Sequence, residues 1–303
     1  MPEAGQGRQR VTKEAFMVED RDGILAGPVR RPVNFSRNAK GSIHDDATAQ
    51  TLGFRGGTVA GNIHFEQYTP LLLERFGSSW RKRGGLSLHF VNATTDGEPV
   101  QVFAGPVEEV GPDLRRAMVW METPEGVRVN EGTAWVGGDD PNSTLRMRIA
   151  AQRPASDLRI LKSSKVGDSV SDVPSRLDGA RSLLRVADIT EPMAEYTDAA
   201  LFGERVAAPA VAIDALRAVE GSLYAAVTDF VGMFGAIELQ YLDGPIFLDH
   251  DYLADATVIA VGESPKTEVT WYEATLRDAT DKRVVARMLM MSRLLKASSP
   301  LWT

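Results

Sequence analysis

The sequence predicts an α+β fold of two tandem units, residues 1–150 and 151–303, each an antiparallel sheet wrapped around a hydrophobic helix. Three observations predict it. Each half runs in the same order: a short helix, a longer apolar helix, then four strand-like runs. Turn residues separate those runs closely enough to make consecutive strands antiparallel. Finally, a shift of 150 residues lays Gly53 on Gly203, Ala60 on Ala210, Ile63 on Ile213, Leu73 on Leu223 and Gly85 on Gly235. So long a repeat indicates a duplicated domain, since solenoid repeats are far shorter. One helix packed on each sheet satisfies the requirement that every apolar face be covered.

The elements follow in order. The segment 1–10 is polar and glycine-rich and is expected to fray. A short helix is predicted over 44–52, ahead of a turn at Gly56 and Gly57. A longer helix is predicted over 60–76, where Phe65, Tyr68, Leu72 and Phe76 recur at helical spacing and define one buried stripe. Pro70 lies inside it, so this helix either kinks or restarts with the proline in its first turn. Strands are predicted over 85–92, 100–107, 115–122 and 127–136. Asp96-Gly97, Gly111-Pro112 and Pro124-Glu125-Gly126 supply the turns between them. The stretch 137–157 is rich in Gly, Asp, Pro, Asn and Ser and reads as the linker. The second half repeats the order, with a short helix near 195–203 and a long apolar helix near 208–226. Strands follow over 236–242, 256–262, 268–277 and 284–292.

Composition narrows the function classes. Apolar residues make up 43% and charged residues 25%, the balance of a globular protein. No apolar run approaches the roughly 18–20 residues of a membrane span, so no membrane association is expected. The N-terminus lacks a basic start followed by an apolar stretch, so no signal peptide is expected and the cytoplasm is the expected compartment. With no cysteine, disulfides, thiolate metal sites and cysteine nucleophiles are excluded. A net charge of −7 argues against nucleic acid as a partner. The one dense basic run, Arg81-Lys82-Arg83, reads either as a solvated turn or as a contact for ligand phosphates. Neither a phosphate loop, a dinucleotide fingerprint nor a Gly-x-Ser-x-Gly elbow is present, and no cofactor is expected. A metal site from His44, Asp46, His64 and His89 lacks paired ligand spacing, and none is expected.

The most informative stretch is Ser42-Ile43-His44-Asp45-Asp46, continuing through Leu52-Gly53-Phe54-Arg55-Gly56-Gly57-Thr58-Val59-Ala60-Gly61. It resembles the hydratase motif of the MaoC-like enoyl-thioester hydratases and dehydratases: Asp-x-Asn-Pro-x-His, a further x-Asp, a short helix, Gly-Phe, and a glycine turn into the central helix. The resemblance implies a double hotdog fold, in which the duplicated chain mimics the dimer of single hotdogs, and it admits further homo-oligomerisation. It also implies a small-molecule substrate, an acyl thioester of the coenzyme A type. His44 falls on the catalytic histidine, which would trade protons with water, and Asp46 on the aspartate two residues later. Gly61 or Asn62 falls at the oxyanion position, where a backbone N–H at a helix start would hold the thioester oxygen.

The match departs at three positions. Ala39 stands where the motif has its first aspartate, Gly41 where it has asparagine and Ser42 where it has proline. In the second half Glu191-Pro192 resembles the Asn-Pro step, which puts Ala194 at the histidine position and Ile189 at the aspartate position. That half reads as scaffold and substrate tunnel.

Several residues keep two readings. Asp45 and Asp46 follow a turn and read as helix caps. His64 and Glu66 lie in the first turns of the central helix. They are either a polar face favoured by the helix dipole or a replacement for the lost aspartate. Glu66 on the central helix also resembles the acid of hotdog thioesterases, which keeps thioester hydrolysis open. His89 shares a strand face with Ser87 and Val91, facing either a pocket or solvent. Arg81 and Arg83 would be the phosphate contacts. The leading function is a hydro-lyase acting beta to a carbonyl, and the alternative is a catalytically silent hotdog that binds an acyl group or metabolite.

Overall fold

In the computed structural model, which describes residues 18–302, the 12 strands lie in one sheet and every pairing is antiparallel. The fraying expected of residues 1–10 lies outside the described residues. In chain order the strands are β1 (Glu19–Arg21), β2 (Ile24–Ala26), β3 (Gly84–Phe90), β4 (Gln101–Ala104), β5 (Glu108–Gly111) and β6 (Leu114–Glu122). They continue with β7 (Arg128–Val136), β8 (Ser169–Arg176), β9 (Gly232–Tyr241), β10 (Asp251–Glu263), β11 (Thr267–Asp278) and β12 (Val284–Leu295). Across the sheet the order is β1-β2-β4-β6-β7-β3-β9-β12-β11-β10-β8, with β5 beside β6. The two halves are joined at β3–β9. Outward from that seam β7, β6, β4 and β2 on one side are matched by β12, β11, β10 and β8 on the other, the mirrored order a duplication produces.

The seam shows why the repeat is faint in the sequence. Leu86 and Leu88 face the core, and so do their cross-strand partners Leu239 and Ile237. A strict shift of 150 lays Leu88 on Glu238, which points to the opposite face. The correspondence therefore slips with loop length. The matching bridges Thr58↔Thr95 and Val206↔Phe247 place Val206 148 residues beyond Thr58 and Phe247 152 residues beyond Thr95.

The helices that carry the central apolar stripe fill the inner face of the sheet. Asp45 accepts a bond from the Thr48 N–H and caps α1 (Asp46–Thr51). The predicted central helix is two helices, α2 (Gly61–Glu66) and α3 (Thr69–Phe76), with Pro70 in the first turn of the second. Of the two options for Pro70 the chain takes the restart, because a proline at the first turn sacrifices no intrahelical N–H. A short α4 (Trp80–Arg83) leads into β3. The predicted stripe of Phe65, Tyr68, Leu72 and Phe76 is buried, in one cluster with Ile213 and Leu216 of the second half. At roughly 1.5–3 kcal/mol for each large apolar side chain, this shared core adds to the β3–β9 pairing in holding the two halves together. The second half carries α6 (Gly179–Val186), α7 (Pro209–Leu216) and α8 (Glu220–Leu223).

The linker reading of 137–157 is corrected by α5 (Thr144–Ala150), which Ser143 caps. Its Leu145 packs on the outer face with Trp271, Leu289 and Met291. The Leu145 N–H donates to Ser87 Oγ, and the Ser143 hydroxyl donates to Glu238. These bonds satisfy Ser87 and Glu238, which alternation turns outward at the seam. The helix read at 195–203 is only a single 3₁₀ turn, Ala194–Tyr196. Among the described residues no helix is long and apolar enough to cross a membrane.

Candidate functional site

The segment before α1 and the Gly56–Gly57 turn fold onto each other, and that clamp fixes His44. Asp46 Oδ1 accepts the Gly57 N–H at 2.7 Å. The Thr58 N–H donates to the Ile43 carbonyl at 2.9 Å. Asn34 Nδ2 donates to the His44 carbonyl at 2.8 Å. Only glycine fits at position 57, where a Cβ would stand 2.3 Å from the His44 oxygen. The His44 ring then closes the clamp, with Nδ1 2.7 Å from the Thr58 carbonyl oxygen. A carbonyl can only accept, so Nδ1 carries a hydrogen, and in the neutral ring the lone pair is on Nε2.

His44 lines a cavity of about 350 Å3 between the two halves. The first half supplies residues 42–44, 58–61 and 90–94 together with His64; the second supplies parts of 217–234 and 292–294. Gly61 opens α2 on this wall. A Cβ there would meet the Phe90 ring at 2.6 Å, and the first N–H groups of any helix lack an intrahelical partner. His64 also lines the cavity, but both its ring nitrogens are engaged: Nδ1 with Gln67 Oε1 at 3.1 Å and Nε2 with Thr94 Oγ1 at 2.7 Å. Full burial pulls its pKa down to about 4, so it is a neutral wall residue. The second half contributes Arg217, Glu220 and Tyr224 to the lining. Arg217 grips Glu220 with two bonds, of 3.0 and 2.6 Å, and the Tyr272 hydroxyl donates to Glu220 Oε1 at 2.8 Å.

Other predicted site residues lie elsewhere. Glu66 does not line the cavity. It is fully buried against the start of α7, where Oε2 accepts the Ala210 N–H at 3.2 Å, and burial raises its pKa to about 8. The Asn62 side chain is likewise spent on α7, donating to the Ala210 carbonyl at 3.0 Å. Arg81 is no phosphate contact: it is buried and paired with Glu195 at 2.6 Å. Arg83 is exposed and off the cavity wall. His89 shares the outer face with Ser87, where Arg293 Nη2 donates to its Nε2 at 3.2 Å. Burial, with Arg148 and Arg293 nearby, lowers its pKa to about 4. Among the described residues no three His, Asp or Glu side chains gather to hold a metal. Sequence reasoning missed Asn34, Thr94 and Glu220. Each reaches the site from a distant segment, and none carries a local signal.

The second half repeats the clamp with different side chains. The Val206 N–H donates to the Glu195 carbonyl at 2.8 Å, as Thr58 does to Ile43. The Ala207 N–H donates to Ile246 at 2.8 Å, as Val59 does to Thr94 at 2.9 Å. These bonds align His44 with Tyr196, which corrects the reading that put Ala194 there, and they align Gly61 with Pro209. Glu191 then stands five residues before Tyr196, as Ala39 does before His44. It is buried and paired with Arg30 at 2.6 Å. The first half thus keeps the histidine without the acid, and the second keeps an acid without the histidine.

No family model matches the sequence, and no curated protein resembles it in sequence. Solved structures do resemble it in fold. A MaoC domain protein assigned as a dehydratase, from Chloroflexus aurantiacus J-10-fl, superposes with a TM-score of 0.58 at 14% identity, covering 92% of this chain and 94% of its own. A conserved protein of Mycobacterium tuberculosis with a double hotdog fold gives 0.57 at 12% identity, over 88% and 93%. A MaoC-like dehydratase gives 0.55 at 13%, over 89% and 97%. Such identities speak to the fold: this chain is a double hotdog, built as MaoC-like dehydratases are.

Proposed function

We propose that the cavity binds an acyl thioester and that His44 adds water to, or removes it from, the carbons α and β to the carbonyl. The observation that carries this is the His44 clamp. Its Nδ1–H is committed to the Thr58 carbonyl, His44 lines the cavity, and Nε2 is left as the basic atom of the neutral ring. In hydration, Nε2 takes a proton from water as the oxygen bonds to the β-carbon. The electron pair of the double bond moves onto the thioester oxygen, facing the Gly61 N–H, and the proton on His44 is then delivered to the α-carbon. Dehydration is the reverse. One base moving one proton needs no second acid from position 39, and preorganised donors at the oxygen lower the barrier.

The absence of the motif acid at Ala39 favours a second reading, a double hotdog that binds an acyl ligand without turning it over. Short- and medium-chain enoyl- and 3-hydroxyacyl-coenzyme A, offered to wild type and His44→Ala, separate the two. Turnover by wild type, reduced at least about a hundredfold in the variant, is the expected result. No turnover of any substrate by the wild type rules out the hydro-lyase. Equal turnover by both proteins removes His44 from the mechanism.

A further inference from the structure

We propose that Glu220, from the second half of the chain, is the second polar group of the His44 site, accepting a hydrogen bond from the water, or from the 3-hydroxyl it becomes. The inference rests on the cavity being the thioester site. Glu220 is the one carboxylate among the described residues that line the cavity. Internal symmetry puts it on the right side. The frame that holds His44 in the first half holds Tyr196 in the second, and the segment after α7, which carries Arg217 and Glu220, corresponds to that after α2, which carries Thr69 and Leu72. Where the first half carries apolar Leu72, the second half carries the Glu220 carboxylate, and it is this carboxylate that lines the cavity.

The local bonding suits acceptance. The fork of Arg217 and the Tyr272 hydroxyl hold Glu220 in place with three bonds, and a carboxylate offers about four acceptor positions. One remains for a ligand. A water then gives one hydrogen to His44 Nε2 and the other to Glu220, which turns its lone pair toward the β-carbon. No proton passes to Glu220, so the balance of the His44 reaction is unchanged. The acid missing at Ala39 is thereby replaced in function from the other half of the duplication.

Binding measured in a His44→Ala background, where turnover is suppressed, tests this directly. The probes are 3-hydroxybutyryl-pantetheine and butyryl-pantetheine, which differ by the hydroxyl alone. We expect the hydroxylated ligand to bind about tenfold more tightly, as for one hydrogen bond to a charged group. Adding Glu220→Gln or Glu220→Asp should abolish that preference and leave butyryl-pantetheine unchanged. Either substitution suffices if the other fails to fold. A preference that survives both, or equal loss of both ligands in a folded variant, overturns the role of Glu220. Failure of the folded parent to bind either thioester instead counts against the thioester reading itself.

Discussion

Around Thr58 and around Val206 the same backbone frame encloses opposite interiors. At Thr58 the frame holds His44 beside a cavity, with Gly61 and His64 on the wall. At Val206 it holds Tyr196, fully buried, with Arg81 donating to its hydroxyl and to Glu195. Pro209 replaces Gly61 and so removes the backbone donor that opens the helix. The contrast lies in the side chains alone. A hydrogen-bonded backbone frame is indifferent to the side chains it carries, so one copy borders a cavity while the other encloses close packing.

The largest expected contrast is catalytic. His44→Ala should lower turnover by about 10²–10⁴-fold, the range for removal of a general base, whereas Tyr196→Phe at the matching position should leave it unchanged. Steady-state rates on the substrate found in the screen decide this, and equal losses would erase the proposed division.

Next comes stability in the filled half. Arg81→Met strands the Glu195 carboxylate in a buried setting, which costs about 3 kcal/mol or more in denaturant unfolding. Arg55→Met, which breaks the pair between Glu98 and an arginine whose side chain is 67% exposed, should change it by under about 1 kcal/mol.

The Glu66 carboxyl between the halves sets a pH dependence. Its folded pKa of about 8 lies above its ordinary 4.5, so the folded chain holds a proton that the unfolded chain releases between those values. Its contribution to stability is full below about pH 4.5 and is lost as pH rises through about 8. Glu66→Gln mimics the protonated form. It should gain on the wild type by about 2–4 kcal/mol from pH 5 to pH 8 in parallel melts, with no gain at pH 4.

The smallest effect is steric. Gly61→Ala drives a methyl into Phe90, whose ring can give way, and should cost about 1 kcal/mol of stability with a partial loss of turnover. Pro209→Ala, at the same place in the other half, should spare turnover.

How far the site was legible follows from where its residues lie. His44, Asp46, Gly57, Thr58 and Gly61 fall within one stretch, so a local motif exposed them, and Asp46 proved to clamp the turn rather than to act on a ligand. Glu66 and Arg81 drew attention as charged residues near that motif. Charge alone does not reveal that α2 and α4 turn those side chains toward the second half. The strand β8 and the helix α6 were missed because β8 is a largely exposed edge strand with few apolar residues, and α6 has no counterpart in the first-half pattern. The repeat was visible in element order. Its 150-residue register was only approximate, since loops and β-bulges shift it.

The two-unit α+β architecture and the central stripe of Phe65, Tyr68, Leu72 and Phe76 follow from local pattern, because apolar periodicity is a local property that burial must obey. The local motif also contains His44, which lines the cavity. Folding is what commits Nδ1 of His44 to Thr58, bonds His64 at both nitrogens, seals Glu66 in the core and brings Glu220 to the cavity. Those outcomes depend on which distant segments are brought within hydrogen-bonding distance, and chain spacing does not encode that.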